Sequence, residues 1–288
     1  MDAYLLNVVN GVAYGLLLFT VAAGLTLALG VADVLNLAHG SLYVVGGYVA
    51  WAFTDGGWGG FVLALLVAVA VGALLGAGLS AAVAPLSKRG HLPQALLTFG
   101  ISLLLIQALV AMFGADDLSP AMPAALDGDV SLMGHRYPGY RLAFIGIAVV
   151  LAVAGWMIMS RTRVGARVRA IVDDRDMVAC LGTNPRLVMV GVLAASGALA
   201  GLAGALGSPI FGPGPTRAHD IMITSLVIVV LGGLGSIPGA FVAALVVGQI
   251  EGLGPLIAGD WTSYLVLGAM AVVLVVRGPR RLGLAAAR

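Results

Sequence analysis

The sequence predicts an all-α, polytopic membrane protein with about 8–10 transmembrane or re-entrant helices and a two-fold pseudo-repeat. Of its 288 residues, 60% are hydrophobic and only 10% are charged, whereas a soluble domain carries about a quarter charged residues. Several apolar stretches reach the roughly 20 residues that a helix needs to cross a bilayer. Two of these stretches contain glycine-rich breaks. We therefore expect one transmembrane domain over residues 1–288 that lies in the lipid bilayer.

The uninterrupted apolar segments give the first set of predicted spans. The first covers residues 4–30 and is expected to be broken near its start by Asn7 and Asn10. Lys88 and Arg89 predict a cytosolic turn, since basic residues are concentrated in cytoplasmic loops. Five further spans are predicted at residues 61–86, 91–114, 142–160, 187–206 and 261–276.

Residues 34–54 predict a short, interrupted or re-entrant helix that lines a cavity. Asn36, His39 and Ser41 stand here beside several glycines. Irregular backbone at membrane depth is tolerated only where protein or water covers it. Two interpretations of His39 remain open at this point, a residue of a translocation path or an interfacial histidine near a helix end.

A row of polar side chains is predicted on one face of the span over residues 91–114. Gln94, Thr98 and Ser102 recur at every fourth residue, which places them on one side of a helix. They could line a path for solute or form hydrogen bonds between helices, which are common and modest in strength in membranes.

Residues 221–248 are too long for one simple span and are interrupted by glycines and Pro238 at residues 232–239. The Gly235–Ser236 pair weakly resembles Gly40–Ser41, which favours a repeated architecture. If this segment crosses twice, the charged residues 161–186 and the basic C-terminal residues lie on the same, cytosolic side of the membrane. The candidate residues of the translocation path are Asn36, His39, Ser41, Thr98, Ser102 and Ser236.

Two loops are predicted on the outer side of the membrane. Residues 115–141 contain four aspartates, three prolines and only two arginines, a balance that suits an external loop. Residues 207–220 form the second predicted outer loop.

The charged island, residues 161–186, is the segment around which the functional argument is built. It contains six of the 14 arginines, interleaved with aspartates. Val164, Val168, Ile171 and Val172 have helical spacing, and Val178 and Leu181 continue the stripe, which predicts one surface helix that ends before Pro185. Such a segment either only fixes the topology or docks onto a cytosolic partner. The order and spacing favour docking.

Several activities are excluded by what the sequence lacks. A phosphate-binding loop needs a lysine after a glycine, and the single lysine, Lys88, lies between Ser87 and Arg89. The single glutamate, Glu251, has no evident carboxylate partner for acid–base chemistry, and no residue group has metal-site spacing. One cysteine, Cys180, rules out an internal disulfide. We expect no catalytic site, no cofactor and no metal, so energy must come from a partner.

Nearly the whole chain resembles the integral-membrane permeases of bacterial branched-chain amino-acid ABC importers, a family that also covers urea and short-amide systems. The resemblance rests on NLAHG at residues 36–40, PLSKRGHLPQ at 85–94, RTRVGARVRAIVDDRDMVACLGTNP at 161–185 and GGLGSIPGA at 232–240.

The resemblance implies that the island is the coupling segment that contacts an ATPase subunit. It also implies two ATP-binding subunits, a second homologous permease, a periplasmic or other extracytoplasmic solute-binding protein, a small-molecule solute and location in the cell inner membrane, with no nucleic-acid partner. A self-sufficient channel or an ion-coupled carrier is the alternative. The residues implied in ATPase coupling are Arg163, Gly165, Arg167, Arg169, Ala170, Asp173, Asp176, Ala179 and Gly182.

Overall fold

The protein is a bundle of α-helices with one small β-hairpin. The computed structural model describes residues 2–87, 89–114, 116, 118–132 and 135–281. The elements in chain order are α1 (Asp2–Gly30), α2 (His39–Phe53), α3 (Trp58–Val83), α4 (His91–Phe113), β1 (Asp129–Leu132), β2 (His135–Pro138), α5 (Gly139–Arg161), α6 (Arg163–Asp173), α7 (Arg175–Cys180), α8 (Pro185–Phe211), α9 (Arg217–Gly232), α10 (Ile237–Ile257) and α11 (Thr262–Arg281).

The helix lengths confirm an all-α polytopic membrane protein. Within the described residues, six helices are long and apolar enough to cross a membrane: α1, α3, α4, α5, α8 and α10. The helices α2 and α9 have 15 and 16 residues, and α11 contains a shorter apolar stretch, Tyr264–Val273. With these three, the bundle of the described chain falls within the predicted range of about 8–10 helices.

Contacts between loops define two opposite ends of the bundle. At one end, which we call the island end, Gly30 lies against Gly235 and the backbone N–H of Leu37 donates to Thr98. At the other, the hairpin end, the carbonyl of Gly56 accepts a hydrogen bond from the N–H of Ala124. Successive helices of the bundle run alternately between these ends. The loops before and after residues 221–248 therefore both lie at the hairpin end, and the loop within this segment lies at the island end. This is the arrangement that two crossings require.

The centre of the bundle is formed by α1, α2 and α8, and α4 and α5 lie at its edge. In the most apolar 18 residues of α1, 72% are buried, against 11% in α4 and in α5. The most extensive contacts are those of α3 with α8 and of α1 with α10, while α2 is enclosed by α8, α3 and α9. Glycines permit these close approaches, because a Cβ atom at Gly204 would overlap the carbonyl oxygen of Tyr43 in α2.

Two predicted boundaries were wrong. The first helix is continuous through Asn7 and Asn10. Asn10 does not break it because its side-chain oxygen accepts hydrogen bonds from Tyr137 and Arg141 instead of competing for the backbone of its own helix. The predicted outer loop at residues 207–220 is shorter, since α8 continues through Pro209 and α9 begins at Arg217. The loop at 115–141 contains the β1–β2 hairpin, which the composition did not indicate.

Candidate functional site

The charged island forms two short helices rather than the single predicted one. The helix α6 ends at Asp173, and Asp174 has an extended backbone with φ −156° and ψ 105°. The Asp174 carboxylate accepts a hydrogen bond of 2.9 Å from the backbone N–H of Met177, as an N-cap residue does, and α7 begins there. The spacing of apolar residues could not show that the Asp174 side chain caps a second helix instead of continuing the first.

The helix α6 is held against the end of α5 by a tight corner. The Thr162 hydroxyl accepts a hydrogen bond of 3.2 Å from the N–H of Gly165 and so caps α6. A Cβ at Gly165 would overlap the carbonyl oxygen of Met159, to which the Arg169 side chain also donates. The orientation of α6 is therefore determined by the last turn of α5.

Only part of the predicted apolar stripe is buried. Val168 and Ile171 face the bundle, whereas Val164 and Val172 are more than half exposed. All four apolar residues share one face by helical spacing, but the bundle covers only the oblique row formed by residues 165, 168 and 171, and Val164 and Val172 lie outside that row. Val178 is buried and Leu181 is 77% exposed, so the stripe does not continue through α7 as predicted. Apolar surface therefore remains uncovered at the island end.

Most predicted coupling residues lie on this accessible surface. Arg163, Arg167, Arg169, Asp173, Ala179 and Gly182 are exposed, Ala170 is half-buried and Gly165 is buried. Gly182, with φ +81°, ends the segment after α7 in the left-handed region that favours glycine. Asp176 lies within α7, and its side chain is outside the described part of the chain.

A cavity of about 460 Å³ separates α6 from the break between α9 and α10. Its lining includes Arg169 and Asp173 from the island, Thr26 from α1 and Ser236 from the break. The Ser236 hydroxyl accepts a 3.1 Å hydrogen bond from the N–H of Gly239 and caps α10. Ser236 therefore lies beside α6, apart from the other predicted path residues.

His39 lies in the interior, which contradicts the interpretation as an interfacial histidine. It is fully buried, and its Nε2 lies 2.9 Å from the carbonyl oxygen of Val21, to which it donates. Its Nδ1 lies 3.5 Å from the Ser196 hydroxyl, which can donate to it. The first residue of α2 is thus connected to both α1 and α8.

Thr98 connects α4 to the irregular segment before α2. Its hydroxyl accepts a 3.0 Å hydrogen bond from the N–H of Leu37, and it lies 3.1 Å from the Leu35 carbonyl and 2.9 Å from the Gln94 carbonyl. Asn36 and Ser41 form local hydrogen bonds to the backbone of Ala38. These contacts stabilise the non-helical backbone at residues 33–38.

Of the six predicted path residues, four lie close together around the start of α2: Asn36, His39, Ser41 and Thr98. Ser102 is buried one turn further along the same face of α4, and Ser236 lies elsewhere. Gln94, in the same row but not among the path candidates, lines a cavity of about 580 Å³ at the island end. Among the described residues its Oε1 has no hydrogen-bond partner. The sequence signal that could have identified Gln94 as a candidate was its four-residue spacing from Thr98.

Ser196 was also missed by the sequence reasoning. It is fully buried in α8 and faces His39 across the centre of the bundle. It stands in a run of small residues, so the sequence suggested only close helix packing there. Its proximity to His39 depends on the packing of α2 against α8, which no local pattern specifies.

Comparison with known proteins adds a second line of evidence. A family described as "Branched-chain amino acid transport system / permease component" matches residues 7–275. The high-affinity branched-chain amino acid transport system permease protein BraD of Pseudomonas aeruginosa is 28% identical, over 97% of this chain and 96% of its own. The corresponding permease LivH of Escherichia coli is 29% identical, over 87% and 85%.

The relatives extend to sugar import. The fructose import permease protein FrcC of Rhizobium meliloti is 27% identical, over 84% of this chain and 69% of its own. No solved structure matches the chain. The family match spans nearly all of the described bundle, including the island, the start of α2 and the break before α10. The chain therefore belongs to the family of permease components of branched-chain amino acid transport systems and is a multi-pass membrane protein.

Proposed function

We propose that this chain is the membrane-spanning subunit of an ABC importer in the cell inner membrane, and that it carries branched-chain amino acids or a related small solute. One observation carries the coupling role: α6 is buried on the side of Gly165, Val168 and Ile171 and exposes charged and apolar residues on the other. A surface that is mixed in this way, with apolar side chains inside a charged rim, is typical of a protein interface.

The occupant of this surface is proposed to be an ATP-binding subunit. Val172, Met177 and Leu181 are each more than half exposed and are flanked by the arginines of the island. We also propose two such subunits, a second homologous permease and an extracytoplasmic solute-binding protein as further partners. The island end then faces the cytosol, and the hairpin end receives the binding protein.

The path of coupling follows from the packing of α6. The helix contacts the end of α5 and faces, across the 460 Å³ cavity, the last turns of α1 and the break at Ser236. Movement of α6 would therefore change the spacing between α5, α1 and α10 at the island end. Alternating access needs such a displacement of one group of helices against another.

The predicted pseudo-repeat is proposed to relate α1–α4 to α8–α11 in inverted orientation. Under this pairing α1 corresponds to α8 and α3 to α10, so the two most extensive contacts, α1 with α10 and α8 with α3, are equivalent. The contacts of α2 with α3 and α4 likewise match those of α9 with α10 and α11. The short α2 then corresponds to the short α9, rather than to the break at residues 232–239.

The test is ATP-dependent uptake by the reconstituted assembly with its ATP-binding subunits, second permease and binding protein. Arg167→Glu places a negative charge on the exposed side of α6 while leaving its buried side intact. We expect leucine uptake and solute-stimulated ATP hydrolysis to fall at least about tenfold, since a charge placed against a complementary interface costs several kcal/mol. Arg169 is a less suitable site because its side chain contacts Met159.

The matched control is Arg136→Glu, an exposed arginine in β2 at the opposite end. We expect this variant to retain its assembly with the ATP-binding subunits and the basal ATP hydrolysis of the complex, which are compared with the same two quantities in Arg167→Glu. Normal uptake by Arg167→Glu would contradict docking through α6. Solute transport by the chain alone, without ATP, would instead support the channel or carrier alternative.

A further inference from the structure

A second cavity, of about 350 Å³, lies at the hairpin end, remote from the charged island. It is formed where the beginning of α1, the beginning of α5, the beginning of α9 and the last turns of α10 meet. Ligand pockets have volumes of about 300–1,000 Å³, so this cavity is suited to a small solute.

The cavity contains charged side chains of both signs. Arg141 and Arg217 supply two guanidinium groups, and Asp220 and Glu251 supply two carboxylates. Arg141, Arg217 and Glu251 are each partly buried, and Asp220 is exposed at the rim. No ion pair within 4.0 Å joins any of the four to another residue in the described part of the chain. Partly buried charges are costly unless they are paired, so Arg141, Arg217 and Glu251 each favour a ligand group of opposite charge.

The position of Arg141 is fixed by neutral groups. Its Nη1 donates a hydrogen bond of 2.6 Å to Asn10 Oδ1, which also accepts one of 2.9 Å from the Tyr137 hydroxyl. Burial raises the pKa of Tyr137, although the charge of Arg141 opposes this shift, and the phenol is thus kept as a neutral donor. Because Asn10 is uncharged, the guanidinium retains its full positive charge toward the cavity.

The remaining wall is largely apolar and aromatic. It includes Ile210, Phe211, Ile221 and Ala13, and the rings of Tyr14 and Phe211 lie 5.1 Å apart at 58°. A branched aliphatic side chain could be buried against these groups. A sugar would leave the four charges unpaired and would place hydroxyl groups against the apolar wall.

We propose that this cavity binds the zwitterionic backbone of an α-amino acid at the hairpin end. The guanidinium groups of Arg141 and Arg217 donate to the carboxylate, the carboxylates of Glu251 and Asp220 accept from the ammonium group, and the aliphatic side chain lies against Phe211 and Ile221. This inference rests on the proposed import function and assigns to the permease itself a site that holds the solute.

The experiment compares three ligands that share the same branched aliphatic chain. Leucine has both charges, isopentylamine lacks the carboxylate and 4-methylpentanoate lacks the ammonium group. Each is titrated at millimolar concentration, by saturation-transfer NMR, into the complete transporter in nanodiscs without its binding protein, and fructose is titrated in parallel. Arg217→Gln and Glu251→Gln test the two charges. Arg136→Gln and Asp129→Asn remove the same charges from exposed positions on the neighbouring hairpin.

The expected result is a charge-specific pattern. Arg217→Gln should weaken leucine and 4-methylpentanoate about tenfold and leave isopentylamine unchanged, and Glu251→Gln should weaken leucine and isopentylamine but leave 4-methylpentanoate unchanged. The control variants should bind all three as the unchanged protein does.

Three results would overturn the proposal: no effect of either variant, an equal loss of all three ligands, or fructose binding as strong as that of leucine. A parallel assay of ATP-driven leucine uptake separates this inference from the proposed function. Uptake together with unchanged binding in both variants refutes only the cavity site, whereas absence of uptake by the complete unchanged assembly refutes the import function.

Discussion

His39 shows that tertiary contacts, rather than the local sequence, decide the environment of a candidate residue. The sequence placed it at the start of a short helix beside glycines, and the structure confirms that position. Its complete burial and its contacts with Val21 and Ser196 show that it connects three helices. One local stretch cannot specify this, because Ser196 is 157 residues away in sequence.

The polar row on α4 also shows that residue spacing predicts the face of a helix but not the partners of each side chain. The four-residue spacing correctly predicted that Gln94, Thr98 and Ser102 share one face of a helix, and the structure shows that this face is buried. It could not indicate that Thr98 is enclosed by residues 35–37 while Gln94 borders a cavity. That difference depends on the irregular backbone before α2, whose path is set by tertiary contacts.

The close contact between α2 and α8 gives a prediction for one residue. Replacing Gly204 by alanine would place a methyl group against the backbone of Tyr43, which cannot rotate away as a side chain can. We expect Gly204→Ala to destabilise the folded protein by about 1–3 kcal/mol, the usual cost of overpacking. The measurement is the thermal unfolding temperature in detergent.

The same helix supplies the control for that prediction. A Cβ at Gly191 would meet no heavy atom within 4 Å, so Gly191→Ala adds the same methyl group without a clash. It should leave the unfolding temperature unchanged or raise it slightly, because alanine favours a helix over glycine. Equal unfolding temperatures for the two variants would contradict the packing of α2 on α8 described here.

Among the elements, the charged island is the one whose division into two helices depends on a capping side chain. Its helical character was readable from the spacing of Val168 and Ile171, but the end of α6 was not. The sequence Asp173–Asp174–Arg175 looks like continuous surface helix, whereas the Asp174 side chain caps a new helix. The break before α10 was predicted correctly, since glycine and proline are the strongest local signals for the end of a helix.

Asp174→Ala should therefore loosen α7. Loss of an N-cap costs about 0.5–2 kcal/mol, which is enough to unfold a helix of six residues for much of the time. We expect faster hydrogen–deuterium exchange of the backbone amides at residues 175–181, with little change in the bundle. Asp174→Ser keeps a capping oxygen and should preserve slow exchange; similar rates in the two variants would argue against the cap.

At the scale of the whole molecule, the sequence predicted the all-α fold class and the approximate number of helices. The side of the membrane on which each end of the chain lies follows only from how the helices connect. Five helices, α1–α5, precede the island, and four, α8–α11, follow it. With every one crossing, the N-terminus lies opposite the island and the end of α11 lies on the same side as it. The short α2 decides this arrangement, because its length alone left open whether it crosses.

Cys180 allows this arrangement to be tested directly, since it is the single cysteine and it is exposed on the island. A membrane-impermeant maleimide should label it in inverted vesicles and not in intact spheroplasts. In a Cys180→Ser background, a cysteine introduced at Tyr4, which is exposed in the first turn of α1 at the opposite end, should show the reverse pattern. Labelling of both positions from the same side would refute the assignment of α2 as a crossing helix.

The position of α5 has a thermodynamic consequence. Arg141 in its first turn borders the cavity proposed to bind the amino acid, and Met159 in its last turn contacts α6, for which we propose docking to an ATP-binding subunit. Its 23 residues span about 35 Å as one rigid rod. If binding at one end of this rod changes the free energy of binding at the other, linkage requires the effect to be reciprocal. The factor by which an ATP-binding subunit alters affinity for the amino acid must then equal the factor by which the amino acid alters affinity for that subunit.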